Sequence, residues 1–168
     1  RGNRACEIQA LWHAALCAGI RLAELQKDKP SATRWKKRAD TLAKHFPKRF
    51  WDVRKKRLAD RIDAKNVPDY SVRPNQLMLL TVPFGPGLLE EACRERIVRN
   101  AIAELLVPHG VLSLSPADER FHPHHDGRPE YHKDAAYHNG TIWGWNAGLA
   151  VTSLLRHGQT ELAWKLSK

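Results

Sequence analysis

The sequence predicts an all-α fold, and three observations carry that reading. Apolar residues recur at helical spacing along most of the chain, no segment alternates apolar and polar residues as a strand would, and prolines and polar clusters separate about six helical segments. Short connections make neighbouring segments pairs, an array of αα-hairpins. No fixed sequence period recurs, which excludes a solenoid of short repeats.

Taken in order, the stretch from Cys6 to Gln26 places Ile8, Leu11, Trp12, Ala15, Leu16, Gly19, Ile20 and Ala23 on one stripe, expected to face a core. Pro30 ends that helix, because proline disfavours helical geometry at the residue before it. Ser31 or Thr33 is the expected cap of a second helix carrying Trp35, Ala39, Leu42, Ala43 and Phe46 inward, with a break or kink at Pro47. A further helical turn is expected to hold Phe50, Trp51 and Val53, and the polar stretch Asp60 to Asp69 reads as loop. Arg73-Pro74-Asn75-Gln76 then opens an apolar run from Leu77 to Val82, stopped by Pro83. Pro86 suits the first turn of another helix, with Leu89, Cys93, Ile97, Ala101 and Leu105 at i, i+4 steps.

From Pro108 to Asp134 periodicity dissolves among Gly110, Pro116, Pro123, Gly127 and Pro129. Loops this long within a compact domain are usually functional or disordered, and the aromatic and histidine residues here argue against plain disorder. Helical periodicity returns from Ile142 to Leu155 and from Leu162 to Leu166. Helical pattern runs almost to both ends without finished start or stop signals, so residues 1–168 are expected to be a single partial domain of a longer helical fold.

Composition sets further bounds. The 168 residues are 42 % hydrophobic and 27 % charged, ordinary for a globular chain. No apolar run approaches the roughly 20 residues that span a bilayer, and no signal-peptide pattern precedes the first helix, so no membrane partner is expected. Cys6, Cys17 and Cys93 lie far apart and are odd in number, which fits small buried residues of a reduced, cytoplasmic protein. Twenty-eight Lys and Arg against eighteen Asp and Glu give a net charge of +10, with basic stretches at Arg34-Trp35-Lys36-Lys37-Arg38 and Lys55-Lys56-Arg57. These could follow a phosphate backbone, so a basic all-α nucleic-acid-binding module is the alternative from a different class. A solvated outer helix face has the same composition, and nucleic acid ranks well below the reading developed next.

Four segments in one order carry a resemblance. Glu7-Ile8-Gln9-Ala10-Leu11-Trp12 follows Arg1-Gly2; Phe50-Trp51 and Asp60 precede Arg73-Pro74-Asn75-Gln76; then come Gly110-Val111-Leu112-Ser113-Leu114-Ser115-Pro116 and Asp134-Ala135-Ala136-Tyr137-His138-Asn139-Gly140-Thr141-Ile142-Trp143. Together they resemble the amylo-α-1,6-glucosidase domain of glycogen-debranching enzymes. Lys133 stands where that family usually has arginine, Gly144 where it has proline, and His124 or His125 near a usual tyrosine. The resemblance implies an (α/α)6 barrel of paired helices, of which this chain would hold about half. It implies hydrolysis of α-1,6-glucosidic branch points in a glycogen-like glucan such as glycogen or limit dextrin. It also implies that the general acid, an aspartate, lies upstream of residue 1 and the general base, a glutamate, downstream of residue 168. No catalytic carboxylate is therefore expected within the chain, which alone would be inactive and would rely on the rest of the barrel. No metal or organic cofactor is implied.

With that family in view, Tyr137, His138, Asn139, Gly140 and Trp143 are the leading sugar-contact candidates. A glucose ring offers apolar C–H faces and a rim of hydroxyls, which suit an aromatic platform beside donors and acceptors. Arg73, Asn75 and Gln76 offer a forked guanidinium and two amides. Glu7, on the apolar side of the first helix, is a candidate ligand or structural contact, because a buried carboxylate requires partners or a shifted pKa. Asp134 is expected to cap the turn at Tyr137-His138. Glu7, Arg73, Asn75, Tyr137, His138 and Trp143 are expected on one face, at the same end of the helical array. His122, His124, His125, His132 and His138 with Asp126 superficially resemble a metal cluster, but the spacing matches no recognised zinc motif, and no metal is expected.

Overall fold

The computed structural model describes residues 3–83, 86–125 and 130–168, with the backbone alone for 86 and 130–133. Arg1, Gly2, Asp126, Gly127, Pro129 and the side chains of His132 and Lys133 lie outside that description. The chain forms two compact units, one of Arg1–Tyr70 with Met78–Arg94, the other of Ser71–Leu77 with Glu95–Lys168.

In the first unit, α1 (Cys6–Leu25) pairs with α2 (Lys29–Phe50) through a tight turn in which Lys27 takes a positive φ of 58°. The cap of α2 is Asp28, not Ser31 or Thr33: its carboxylate accepts the Ser31 N–H at 3.1 Å, with Pro30 in the first turn. Pro47 does not end α2, which runs on to Phe50, where Phe46 and Phe50 stack at 4.5 Å. Gly19 makes room for Trp35, since a Cβ there would sit 3.0 Å from the indole.

The buried face of α1 differs from the expected stripe. Cys6, Ala10, His13, Ala14, Leu16 and Ala23 are buried, whereas Ile8, Leu11 and Trp12 are 54, 44 and 50 % exposed. Helix α1 is apolar on more than one side, so periodicity alone could not select the face. The small residues Ala10, Ala14 and Ala23 permit close helix packing, and the bulky ones are left outside.

Short strands occur where loop or helix is expected. Trp51–Asp52 (β2) pairs with Arg57–Leu58 (β3), because the Asp52 carboxylate accepts the N–H groups of Arg54 and Lys55, both at 2.9 Å, and bends the chain into a hairpin. Val53 is consequently exposed at its tip. Arg4–Ala5 (β1), Arg61–Ile62 (β4) and Pro68–Asp69 (β5) form a three-stranded sheet in the order β1-β4-β5. Asp63 turns that second hairpin, accepting from Lys65 and Val67 N–H at 2.8 Å each. Every strand among the described residues is two residues long. They staple loops, and the fold is all-α. Met78–Thr81 (α3) packs on α1, with Leu80 buried.

The second unit contains a 3-10 turn at Pro74–Leu77, the greater part of α4 (Glu91–Glu104), a hairpin of Leu106–Val107 (β6) with Gly110–Val111 (β7), then α5 (Glu130–Tyr137), α6 (Gly144–Arg156) and α7 (Thr160–Leu166). The helix expected at Pro86 is only a 3-10 turn, Pro86–Leu88, and α4 begins at Glu91. Part of the expected loop is helical: α5 begins inside it and runs past its end at Asp134. Leu77, Ile97, Val98, Leu105, Val111, Leu114, Ala136, Ala150 and Leu154 are buried. Gly110 is required in its hairpin, having φ +143° and no space for a Cβ, which would meet Ile142 Cγ2 at 2.7 Å.

Candidate functional site

The site residues of the second unit gather where α5 ends and α6 begins. A helix leaves its last four carbonyls without intrahelical partners. Here the chain that follows supplies them. Asn139 donates its side-chain amide to Ala135 O at 2.8 Å, the Thr141 hydroxyl donates to Ala136 O at 2.8 Å, and the Trp143 indole N–H donates to Tyr137 O at 2.7 Å. The next carbonyl, of His138, accepts from the Arg73 guanidinium. The turn therefore folds back on α5 and carries Trp143 onto Tyr137, ring centroids 4.6 Å apart.

Two histidines stand edge-on to this pair. His138 lies 4.7 Å from the Tyr137 ring, and His125 lies 5.9 Å from Tyr137 and 6.3 Å from Trp143, centroid to centroid. Tyr137 is 45 % exposed, so the cluster is an aromatic surface edged by nitrogen donors and acceptors. Such a surface matches one apolar face and part of the hydroxyl rim of a sugar ring.

The other expected residues take different places. Arg73 donates to the carbonyls of Ser113, at 3.3 Å, and His138, and to Asn139 Oδ1 at 2.9 Å. Both ends of the Asn139 amide are thus engaged within the turn. Gly140 has φ +155° and lies against the neighbouring loop, where a Cβ would meet His122 O and Pro123 Cα at 2.8 Å. His122 N–H donates to Asn139 O at 2.6 Å, continuing that contact. Gln76 is buried and donates to Ser71 O at 2.8 Å, while Asn75 is half-buried. Asp134 does not cap the Tyr137-His138 turn: it is an exposed residue within α5, and Tyr137 ends that helix rather than starting one. The tight turn leaves Trp143 as the N-cap of α6, with its side chain directed back to α5.

Ser113 is not among the expected site residues, yet it contacts this turn at two points and Arg73 at a third. Its hydroxyl accepts the Gly140 N–H at 2.9 Å, its N–H donates to Thr141 O at 3.2 Å, and its carbonyl accepts from Arg73. Two sequence signals could have pointed to it: its place in the Gly110 to Pro116 segment of the resemblance, and the placing of Ser113 and Ser115 in and beside the apolar run Val111 to Leu114, where buried hydroxyls require partners. Nearby, Arg120 pairs with Asp118 at 2.8 Å and also donates to Ser71 Oγ. Hydrogen bonding from Arg120 holds the Asp118 carboxyl well below the usual carboxylate range, so it stays ionised and is a poor general acid.

Glu7 belongs to the first unit. It is half-buried in the first turn of α1, 3.7 Å from the Cys6 sulfur. Cys6, Glu7 and Asp60 bring one potential ligand atom each within 4.8 Å of one another. Burial first, and then the charges of Asp60 and Glu7, push the Cys6 thiol well up, so it remains protonated and does not present a thiolate. Among the described residues, the ligand atoms that gather are these and not histidines. No helix among the described residues is long and apolar enough to cross a membrane.

The sequence matches the family model described as amylo-alpha-1,6-glucosidase over residues 1–167, essentially the whole chain. No curated protein matches it.

Proposed function

The chain belongs to the amylo-α-1,6-glucosidase family, and from that premise we propose that it supplies a glucan-contact surface to an enzyme that hydrolyses α-1,6 branch linkages in a glycogen-like glucan. Family membership places it among glycosidases of glycogen debranching. The observation that carries the finer reading is the pair of exposed Tyr137 and half-buried Trp143, edged by His125 and His138 and held by hydrogen bonds at the helix junction. The aromatic faces take the C–H side of a glucose ring, and the imidazole nitrogens reach its hydroxyls. Asn75, Asp134 and, in the first unit, Glu7 are proposed as further substrate contacts, and Arg73, Gln76, Asn139 and Gly140 as supports of the surface.

Inverting hydrolysis uses an acid and a base about 6.5–9.5 Å apart with a water between them. Asp118, held by Arg120 as a permanent anion, is unsuited to the acid role, and in this reading both acid and base are supplied from outside residues 1–168. In this reading the rest of an (α/α)6 barrel completes the site, and residues 1–168 make up about half of it. The enzyme works in the cytoplasm without metal or organic cofactor.

The test is binding of a branched limit dextrin to residues 1–168, compared with Tyr137→Ala and Trp143→Ala. Each substitution is expected to weaken binding about tenfold, the loss of roughly one aromatic contact. Equal binding by all three proteins would sink the reading. Glucose release by residues 1–168 alone is expected to be nil, and measurable release would show that the acid and base lie within the chain.

A further inference from the structure

We propose that Arg73 and Ser113 form a clamp that positions the Tyr137–Trp143 surface, making both of them positioning residues for glucan binding rather than sugar contacts. This rests on the glucan-contact reading above. The turn from His138 to Thr141 is short, and it is buried at Gly140, where backbone polar groups require partners. Two segments distant in sequence provide them. Ser113 takes the Gly140 N–H on its hydroxyl and gives its own N–H to Thr141 O, so it grips the turn on both sides of the Gly140–Thr141 peptide. Arg73 reaches the same turn. One of its terminal nitrogens is shared between the Ser113 and His138 carbonyls, and the second bonds Asn139 Oδ1 at 2.9 Å.

The two residues act as one device because Arg73 also bonds the Ser113 carbonyl. Ser113 is buried, so water cannot replace its hydroxyl without the chain opening. Trp143 follows the clamped turn by two residues and bonds back to Tyr137 O, so a shift of the turn displaces one ring relative to the other. A planar guanidinium fork is required here. A lysine ammonium presents its donors from a single nitrogen and cannot span a carbonyl pair and an amide oxygen. Asn139, with both ends of its amide engaged, transmits the clamp to α5 through Ala135 O.

The experiment uses residues 1–168 with labelled tryptophan, of which there are six, the Trp143 indole signal being assigned by Trp143→Phe. Three variants are compared: Ser113→Ala, Ser113→Thr, which keeps the hydroxyl, and Arg73→Lys, which keeps charge but not the fork. Ser113→Ala and Arg73→Lys are expected to speed exchange of the Trp143 indole proton about tenfold and to weaken limit-dextrin binding by a similar factor. Amide protection of Ile97 and Leu105 in the core should stay unchanged, and Ser113→Thr should stay near the parent. Unchanged indole exchange in Ser113→Ala and Arg73→Lys overturns the clamp. Loss of core protection in Arg73→Lys also overturns it, since the pair would then support the whole unit rather than the surface. If the parent does not bind dextrin, the functional reading fails separately, while indole exchange still decides the clamp.

Discussion

Replacing Gly140 with alanine is the sharpest single perturbation of the junction. Its φ of +155° lies in a region that residues with a Cβ rarely adopt, at a strain of about 1–3 kcal/mol. The new methyl would also lie 2.8 Å from His122 O and Pro123 Cα and 2.9 Å from His122 C. All three are backbone atoms, so no side chain can rotate away, and overpacking of this kind adds about 1–3 kcal/mol. The sum, about 2–6 kcal/mol, is a large part of a typical stability of about 5–15 kcal/mol. For a chain of this size about 2–4 °C of melting temperature follows each kcal/mol, so a fall of at least about 4 °C is expected in a thermal scan. Gly148→Ala is the internal comparison. Gly148 lies within α6 with nothing within 4 Å of a methyl placed there, and that change should stabilise by about 0.5–1 kcal/mol. If Gly140→Ala melted at or above the temperature of Gly148→Ala, close backbone contact could not be what requires glycine at the junction.

Three further outcomes are expected. Asp118 has a folded-state pKa depressed by Arg120, so its contribution is present above the ordinary carboxylate range and is lost as pH falls through that depressed value. Asp118→Asn should therefore lower the melting temperature at pH 7, and the gap from the parent should narrow as the pH is taken down through about 4 toward about 2; a constant gap would contradict the ion-pair account. On α1, the exposed Ile8, Leu11 and Trp12 form an apolar face expected to drive association of residues 1–168. Trp12→Lys should reduce light scattering without lowering the melting point, and unaltered scattering would remove the face from consideration. Limit-dextrin affinity should change little between about 50 and 200 mM salt, whereas several phosphate contacts would cost about 10³-fold or more over that range, and a steep fall would favour the nucleic-acid alternative.

Much of the fold was legible because helical periodicity and proline are local signals. The pairing of α1 with α2, the helical turns after Arg73, the presence of α4 and the return of helix near Gly144 all follow from residues within a few positions of one another. The four segments resembling the amylo-α-1,6-glucosidases could be read in the same way, and so could the candidacy of Tyr137, His138 and Trp143.

What the residues could not disclose was decided by partners distant in the chain. The exposed side of α1 is as apolar as its buried side, so the choice between Ala10-Ala14-Ala23 and Ile8-Leu11-Trp12 belonged to the shape of α2. Leu77 and Leu80 are buried at 2 and 3 % exposure, whereas the equally apolar Leu11, Trp12 and Ile142 are exposed. The small hairpins arose from Asp52 and Asp63 accepting nearby N–H groups, a turn signal that a polar composition conceals. The assembly at the α5–α6 junction joins Arg73, Ser113 and Asn139 across separations of up to 66 residues. A sequence states which groups carry donors and acceptors. Which of them meet depends on the path of the chain, and a buried polar group stabilises or destabilises only according to the partner that path brings to it.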